Sequence, residues 1–388
     1  MIRDKSLLMI PGPTPVPPSV AAAQTMPMIN HRGEAFNQLK TEVVERLQGV
    51  FRTRQTVYLL PCSGTGGFEA ALVNTLDPGD RVLALPCGSF GDRFAKLAEN
   101  LGFQVERLET EWGRAVDPAA VAERLRQDKE HSIKALLITH NETSTGVTNN
   151  VQALAALARE HGALSLVDSI SGMAALPFEF DAWGVDVAFT GSQKALACPP
   201  GLLPIAFSAA AHERVKTARS NRGYFDLRSF TKGWEQHNLP FTPAVSLWYA
   251  LREALRLLGE ETLEGAWQRH ELLGTMCRAG VRAMGLRTLP EDDAYASNSV
   301  SAVWTPEGVT PKELRATARK FFGVQLAGGQ GKVENNVFRI GHLGFFMPYD
   351  VVSALVATEQ SLAYLGKPVQ IGAAATAAQK VWLESVKR

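Results

Sequence analysis

Residues 133 to 169 contain "IKALLITH" (133–140), "VQALAALAREHG" (151–162) and "ALSLVDS" (163–169): an apolar run, a helix-patterned segment and a second apolar run. Short unbroken apolar runs fit strands covered on both faces, and the segment between them spaces its apolar residues at helical intervals. The same alternation extends outward in both directions. "TVYLL", "FEAALVNTL", "RVLAL", "GDRFAKLAENLG" and "FQVERL" come before it, and "VDVAFTGS" comes after. This grammar predicts a mainly parallel sheet with helices on both faces. Helix punctuation agrees: Asp117 and Pro118 supply a cap and first-turn pair, and Gly102 and Gly162 stand where helices end.

Beyond Leu263 the pattern changes. Three strand-like runs, "NSVSAVW", "GVQLAGG" and "NVFRIGHLG", are separated by long helical segments, one opening "TPKE" with Thr310 as cap and Glu313 placed for a capping box. The expected organisation is a proline-rich extended arm over residues 1–20, a large α/β domain over 21–262, and a smaller α+β domain over 263–388. A chain of 388 residues is long enough for that. With 40 Lys and Arg against 39 Asp and Glu, there is no basic excess of the kind that marks a nucleic-acid binder. No apolar run is long enough for a membrane span, and the start is too proline-bound for a signal peptide. Cys62, Cys87, Cys198 and Cys277 form no metal or disulfide pattern, so no metal is expected and a cytoplasmic setting fits.

In open α/β sheets ligands bind beyond the C-terminal ends of the strands, so the residues just after each apolar run carry the functional reading. "SGTGG" (63–67) leads straight into a helix, where glycines and free N–H groups suit an anion. Asp168 ends one apolar run, and Lys194 follows another in "TGSQKALACPPG" (190–201). Each feature alone has an ordinary explanation: a strand-to-helix turn, a turn-capping carboxylate, a solvated lysine. A Walker loop would need Gly-Lys-Ser/Thr, which is absent, and a dinucleotide fingerprint would need Gly or Ala where Glu69 stands. Taken together the three features supply an anion cradle, a carboxylate for a pyridine nitrogen and an amine for a Schiff base. Pyridoxal 5'-phosphate requires that set.

At these residues the chain resembles the class V aminotransferases of the fold-type I pyridoxal-phosphate superfamily. The likeness is to the alanine:glyoxylate, serine:glyoxylate and serine:pyruvate group, including relatives labelled as a soluble hydrogenase small subunit. "PGPTPVP", "SGTGGFEAALVN", "THNETSTGV", "LVDSISG", "TGSQKAL" with its following "CPPG", "TPAVSLWYALRE" and "FRIGHLG" carry it, from about residue 8 to 365. The resemblance implies a seven-stranded-type sheet in the large domain. It implies Lys194 as the Schiff-base lysine and Asp168 as partner of the ring nitrogen. Thr65, Gly66, Gly67 and Gln193 would hold the phosphate, Phe90 and Ile170 the two ring faces, and Thr143 the phenolic oxygen. Arg339 would grip the substrate carboxylate, and Thr242 would reach the cofactor of a partner subunit in a homodimer. Two departures stand out: Leu239 where many relatives have tyrosine, and Gly67 where the mammalian alanine:glyoxylate enzymes have histidine.

The implied reaction is ping-pong transamination of a small amino acid, alanine or serine, with glyoxylate or pyruvate. Aspartate or phosphonate transamination, a lyase or cysteine desulfurase, and a non-enzymatic accessory subunit are the alternatives; a nicotinamide dehydrogenase is weakened by Glu69. A desulfurase needs a nucleophilic cysteine on a mobile loop, whereas Cys277 lies in "ELLGTMCRAGVRAMG", which has helical spacing. His31, His140 and Glu142 have equally good readings as satisfied loop and turn residues.

Overall fold

The computed structural model describes residues 6–387 apart from residue 237. Strands form at Leu7–Met9 (β1), Val57–Leu60 (β2), Arg81–Ala84 (β3), Gln104–Arg107 (β4), Ile133–Thr139 (β5), Asn141–Glu142 (β6) and Val147–Thr148 (β7). They continue at Leu164–Asp168 (β8), Val187–Phe189 (β9), Leu203–Phe207 (β10), Val300–Trp304 (β11), Val324–Gly328 (β12) and Val337–Gly341 (β13). Seven of them make one sheet in the order β2-β10-β9-β8-β5-β3-β4. Only β10 runs against its neighbours. This is the expected mainly parallel sheet, and β2, β9, β8, β5 and β3 all leave it at the same edge.

Alternation along a strand decides which side chain faces which helical layer. In β5, Ile133, Leu136 and Ile138 join a core with the helices Glu34–Phe51, Pro118–Gln127, Val151–His161 and Val245–Glu261. Ala135 and Leu137 join the opposite core, with Gly64–Thr75 and Ser89–Asn100. Each buried leucine or isoleucine contributes about 1.5–3 kcal/mol, so a strand covered on both faces is held without need of polar edges. The caps expected for helix Pro118–Gln127 and helix Pro311–Phe322 are present: Asp117 accepts from Ala119 N–H, and Thr310 and Glu313 form a reciprocal capping box.

A second sheet has the order β1-β12-β13-β11 and its own core against the helices Leu263–Ala283, Pro311–Phe322, Pro348–Tyr364 and Ala373–Val386. Here the structure corrects the extended arm. Leu7–Met9 pairs in parallel with β12, and Pro18–Ala23 is already helical, leaving only the intervening prolines irregular. Unpaired N–H and C=O groups on the edge of β12 explain why Leu7–Met9 is captured as a strand. Arg339 sits in the middle of β13, opposite Ala302 on one side and Ala327 on the other. Two methyl groups leave room for a guanidinium between them.

Candidate active site

Five loops at the C-terminal edge of the large sheet enclose a cavity of about 150 Å³ lined by Ser63, Gly64, Thr65, Phe68, Phe90, Arg93, Asn141, Thr143, Asp168, Ile170, Ser171, Gln193 and Lys194. They follow β2, β3, β5, β8 and β9 respectively. Strand geometry therefore brings together residues up to 131 positions apart (194 − 63).

Lys194 lies in a closed turn. Ser192 Oγ donates to Pro199 O at 2.7 Å, Cys198 N–H donates to Ser192 O at 3.0 Å, and Ser192 N–H donates to Leu202 O at 3.0 Å. These bonds carry the chain from β9 back into β10, which accounts for the apolar, proline-rich run after the lysine. The amine donates to Pro11 O at 2.5 Å. Thr14 fastens the same turn, its N–H donating to Gln193 O at 3.1 Å and its Oγ1 to Lys194 O at 3.1 Å. Burial, with the Arg339 cation second, brings the Lys194 amine down to about 8; Asp168 acts against both.

Asp168 ends β8, level with Thr139 of β5 and Phe189 of β9. Its Oδ1 accepts the Ile170 N–H at 2.9 Å. Burial pushes the carboxyl up to about 7, opposed by that N–H and by the Lys194 and Arg93 cations. Ile170 packs on Gly64, where a Cβ would collide with Ile170 Cδ1. The helix Gly64–Thr75 begins there without a side-chain cap, so Gly64 and Thr65 bring its positive end to the cavity. Gly66 and Gly67 are not among the lining residues: the Gly66 N–H donates to Ser63 O at 2.9 Å, and Gly67 faces Phe189.

On the other side Phe90 opens the helix Ser89–Asn100, whose first N–H groups are satisfied from afar. Glu142, wholly buried, accepts from Phe90 N–H and Gly91 N–H at 3.0 Å each, and from Ser144 N–H and Oγ at 3.0 and 2.6 Å. Burial raises its carboxyl and these bonds oppose the rise. The Arg93 guanidinium lies 4.9 Å from the Phe90 ring centre. Arg339, 5 % exposed, donates from Nε to Gly328 O at 2.7 Å and from Nη1 to Thr143 O at 3.0 Å. His140 is buried against Ser169, 2.9 Å from Nδ1 to Oγ, and is brought down to about 4 by burial. Thr242 is exposed and stands outside the cavity, and His31 does not line it.

The chain matches the aminotransferase class V family over residues 18–334. The chain belongs to the class V aminotransferases. Among relatives of this class V aminotransferase, a serine–glyoxylate aminotransferase of Arabidopsis thaliana is 39% identical, covering 96% of this chain and 94% of that one. An L-aspartate–glyoxylate aminotransferase of Paracoccus denitrificans (strain Pd 1222) is also 39% identical, over 98% and 96% of the two chains. The crystal structure of pyridoxamine–pyruvate aminotransferase from Mesorhizobium loti superposes with a TM-score of 0.95 at 31% identity, covering 98% of both. The cofactor of the class is pyridoxal phosphate, and this site fits it. A carboxyl and an amine converge on one cavity, and an uncapped helix N-terminus borders it.

The motif reading reached Lys194, Asp168, Thr65, Phe90, Ile170, Thr143 and Gln193, all of which line the cavity. Ser63 and Gly64 lie in the anion loop that this reading named, whereas Phe68, Arg93, Asn141 and Ser171 have no role in it. Asn141 and Ser171 sit within three residues of a strand end, the position that the reading treats as functional. Nothing local marks Pro11, whose carbonyl meets an amine 183 positions away.

Proposed function

We infer that this enzyme transaminates a small amino acid, alanine or serine, with glyoxylate or pyruvate as amino acceptor. The observation that carries the reading is the convergence of Lys194, Asp168 and the Gly64–Thr65 helix end on one cavity, with Arg339 bonded to its wall at Thr143. Pyridoxal phosphate supplies the aldehyde that takes up the amino group and the ring that accepts electrons from the substrate Cα.

The chain's own groups do the rest. Gly64, Thr65 and Gln193 would hold the phosphate, Phe90 and Ile170 would clamp the ring, and Asp168 would face its nitrogen, where an opposite charge would keep the buried carboxylate ionised. Gly66 and Gly67 support the phosphate loop from behind. Lys194 would hold the aldehyde, and its freed amine would take the proton from the substrate Cα. Arg339 takes the substrate carboxylate in its two-pronged fork and so fixes which Cα bond faces the ring. Its donation to Thr143 O keeps the guanidinium at the cavity wall. One carboxylate is thereby accounted for, which favours monocarboxylic donors.

Thr242, exposed in the single chain, fits contact with a partner's cofactor in a homodimer. The junction at Thr262, between helices Val245–Glu261 and Leu263–Ala283, suits the boundary between a large domain over 21–262 and a small one over 263–388. Among the described residues no helix is long and apolar enough to cross a membrane. Cys277 is buried within helix Leu263–Ala283, so no loop thiol there serves a desulfurase.

The test is a half-reaction screen. Alanine, serine and aspartate are each added to the loaded enzyme and the cofactor absorbance is followed, then glyoxylate or pyruvate is added to restore it. Conversion by alanine or serine is expected; conversion by aspartate alone would replace this substrate assignment, and none by any amino acid would overturn transamination.

A further inference from the structure

Asn141 and Ser171 line the cavity but have no part in the roles given above, and they are only 3% and 2% exposed. Asn141 Nδ2 donates to Ser171 Oγ at 2.8 Å and to Ser299 Oγ at 2.9 Å, so both amide hydrogens are committed. Ser171 Oγ lies 2.6 Å from Thr143 Oγ1 and 3.1 Å from Asn141 O. One lone pair of Ser171 is thus taken by Asn141, and its single hydrogen has two acceptors in reach, Asn141 O and the nearer Thr143 Oγ1, a pair in which either hydroxyl can donate. Thr143 is itself fixed through its carbonyl, which accepts from Arg339.

We propose that Asn141 and Ser171 are positioning residues that turn the Thr143 hydroxyl hydrogen into the cavity, toward the phenolic oxygen of pyridoxal phosphate. With the single Ser171 hydrogen given to Thr143 Oγ1, the nearer of its two acceptors, the hydrogen bonds run from Asn141 to Ser171 to Thr143, and each one polarises the next, so Thr143 becomes a stronger donor than an isolated hydroxyl. Asn141 gives its other amide hydrogen to Ser299, just before β11, which ties the first donor of the chain to the second sheet as well. The inference rests on the pyridoxal-phosphate reading. The charged and titratable groups around this hydroxyl are Lys194, Asp168 and Arg93 within the cavity, and Glu142, His140 and Arg339 beside it.

The experiment compares wild type, Ser171→Ala, Asn141→Ala and the double variant in three measurements: pyridoxal-phosphate affinity of the apo-protein, the pH midpoint of the cofactor absorbance, and thermal unfolding. Each single variant should bind the cofactor about fivefold more weakly, the scale of one neutral hydrogen bond. The absorbance midpoint should rise, because a donor to an anionic oxygen favours the deprotonated chromophore. The double variant should be no worse than Ser171→Ala, since Asn141 acts through Ser171. Single variants with wild-type affinity and midpoint would overturn the proposal, as would additive effects in the double. A lowered unfolding temperature with an unmoved midpoint would reduce the pair to a structural role and also overturn it. Failure of the wild type to bind pyridoxal phosphate would instead remove the cofactor reading itself.

Discussion

The rate at which apo-protein captures the cofactor aldehyde should follow the neutral fraction of one amine. Lys194 is buried, and that burial together with the nearby Arg339 cation brings it from the ordinary 10.5 to about 8. At about pH 7 roughly one-tenth of such an amine is neutral, against a few ten-thousandths for a solvated lysine, an enrichment of about 300-fold. The Pro11 carbonyl holds the amine in place and favours its charged form, so the low value is the outcome of burial winning over that bond. Stopped-flow mixing of apo-protein with pyridoxal phosphate across a pH series reads this directly, with an expected midpoint near 8. Arg339→Gln removes the second cause of the depression and should move the midpoint upward. A wild-type midpoint at the ordinary 10.5 would refute the reasoning, because it would mean the lysine faces solvent.

The same shift predicts a pH-dependent stability. Because the folded-state value is the lower one, the buried ammonium costs stability below about 8, and that cost fades as pH rises from there to 10.5. Lys194→Met should therefore melt higher than wild-type apo-protein near neutral pH, with the gap closing under alkaline conditions; a gap independent of pH would contradict it. Arg339→Lys should lower kcat/KM by about 10- to 100-fold, the loss of a two-pronged carboxylate contact, while pyridoxal-phosphate affinity stays near wild type; equal losses in both would place Arg339 at the cofactor instead. Gly64→Ala would displace Ile170 Cδ1, and with Ile170 proposed to pack on the cofactor ring about tenfold weaker cofactor binding is expected; unchanged binding would show that Ile170 does not touch the ring.

Much was legible because its cause is local. Apolar runs in β5 and β8, with a helical segment between them, announce a covered parallel sheet, and strand-end chemistry follows from where such sheets bind ligands. Thr310 and Glu313 form their capping box from residues three apart, so the sequence could state it in advance. The extended arm was misread because its prolines say nothing about the distant edge of β12 that recruits Leu7–Met9. Phe90 was named from its motif, but the reason it stays put is Glu142, 52 residues further on, capping the helix that Phe90 opens.

The sequence by itself determined the sheet, its helical cover and the strand-end positions of Lys194, Asp168 and the 63–67 loop, since each depends on neighbours within one turn or one strand. The tertiary structure alone decided what acts on them: the Pro11 carbonyl on Lys194, the Thr143 carbonyl on Arg339, and the donor chain that begins at Asn141. Those contacts join residues that the sheet order brings together from well apart in the chain, or that only a folded loop sets at hydrogen-bond distance. Hydrogen bonds and burial act through space over a few ångströms, and sequence spacing carries no record of that distance.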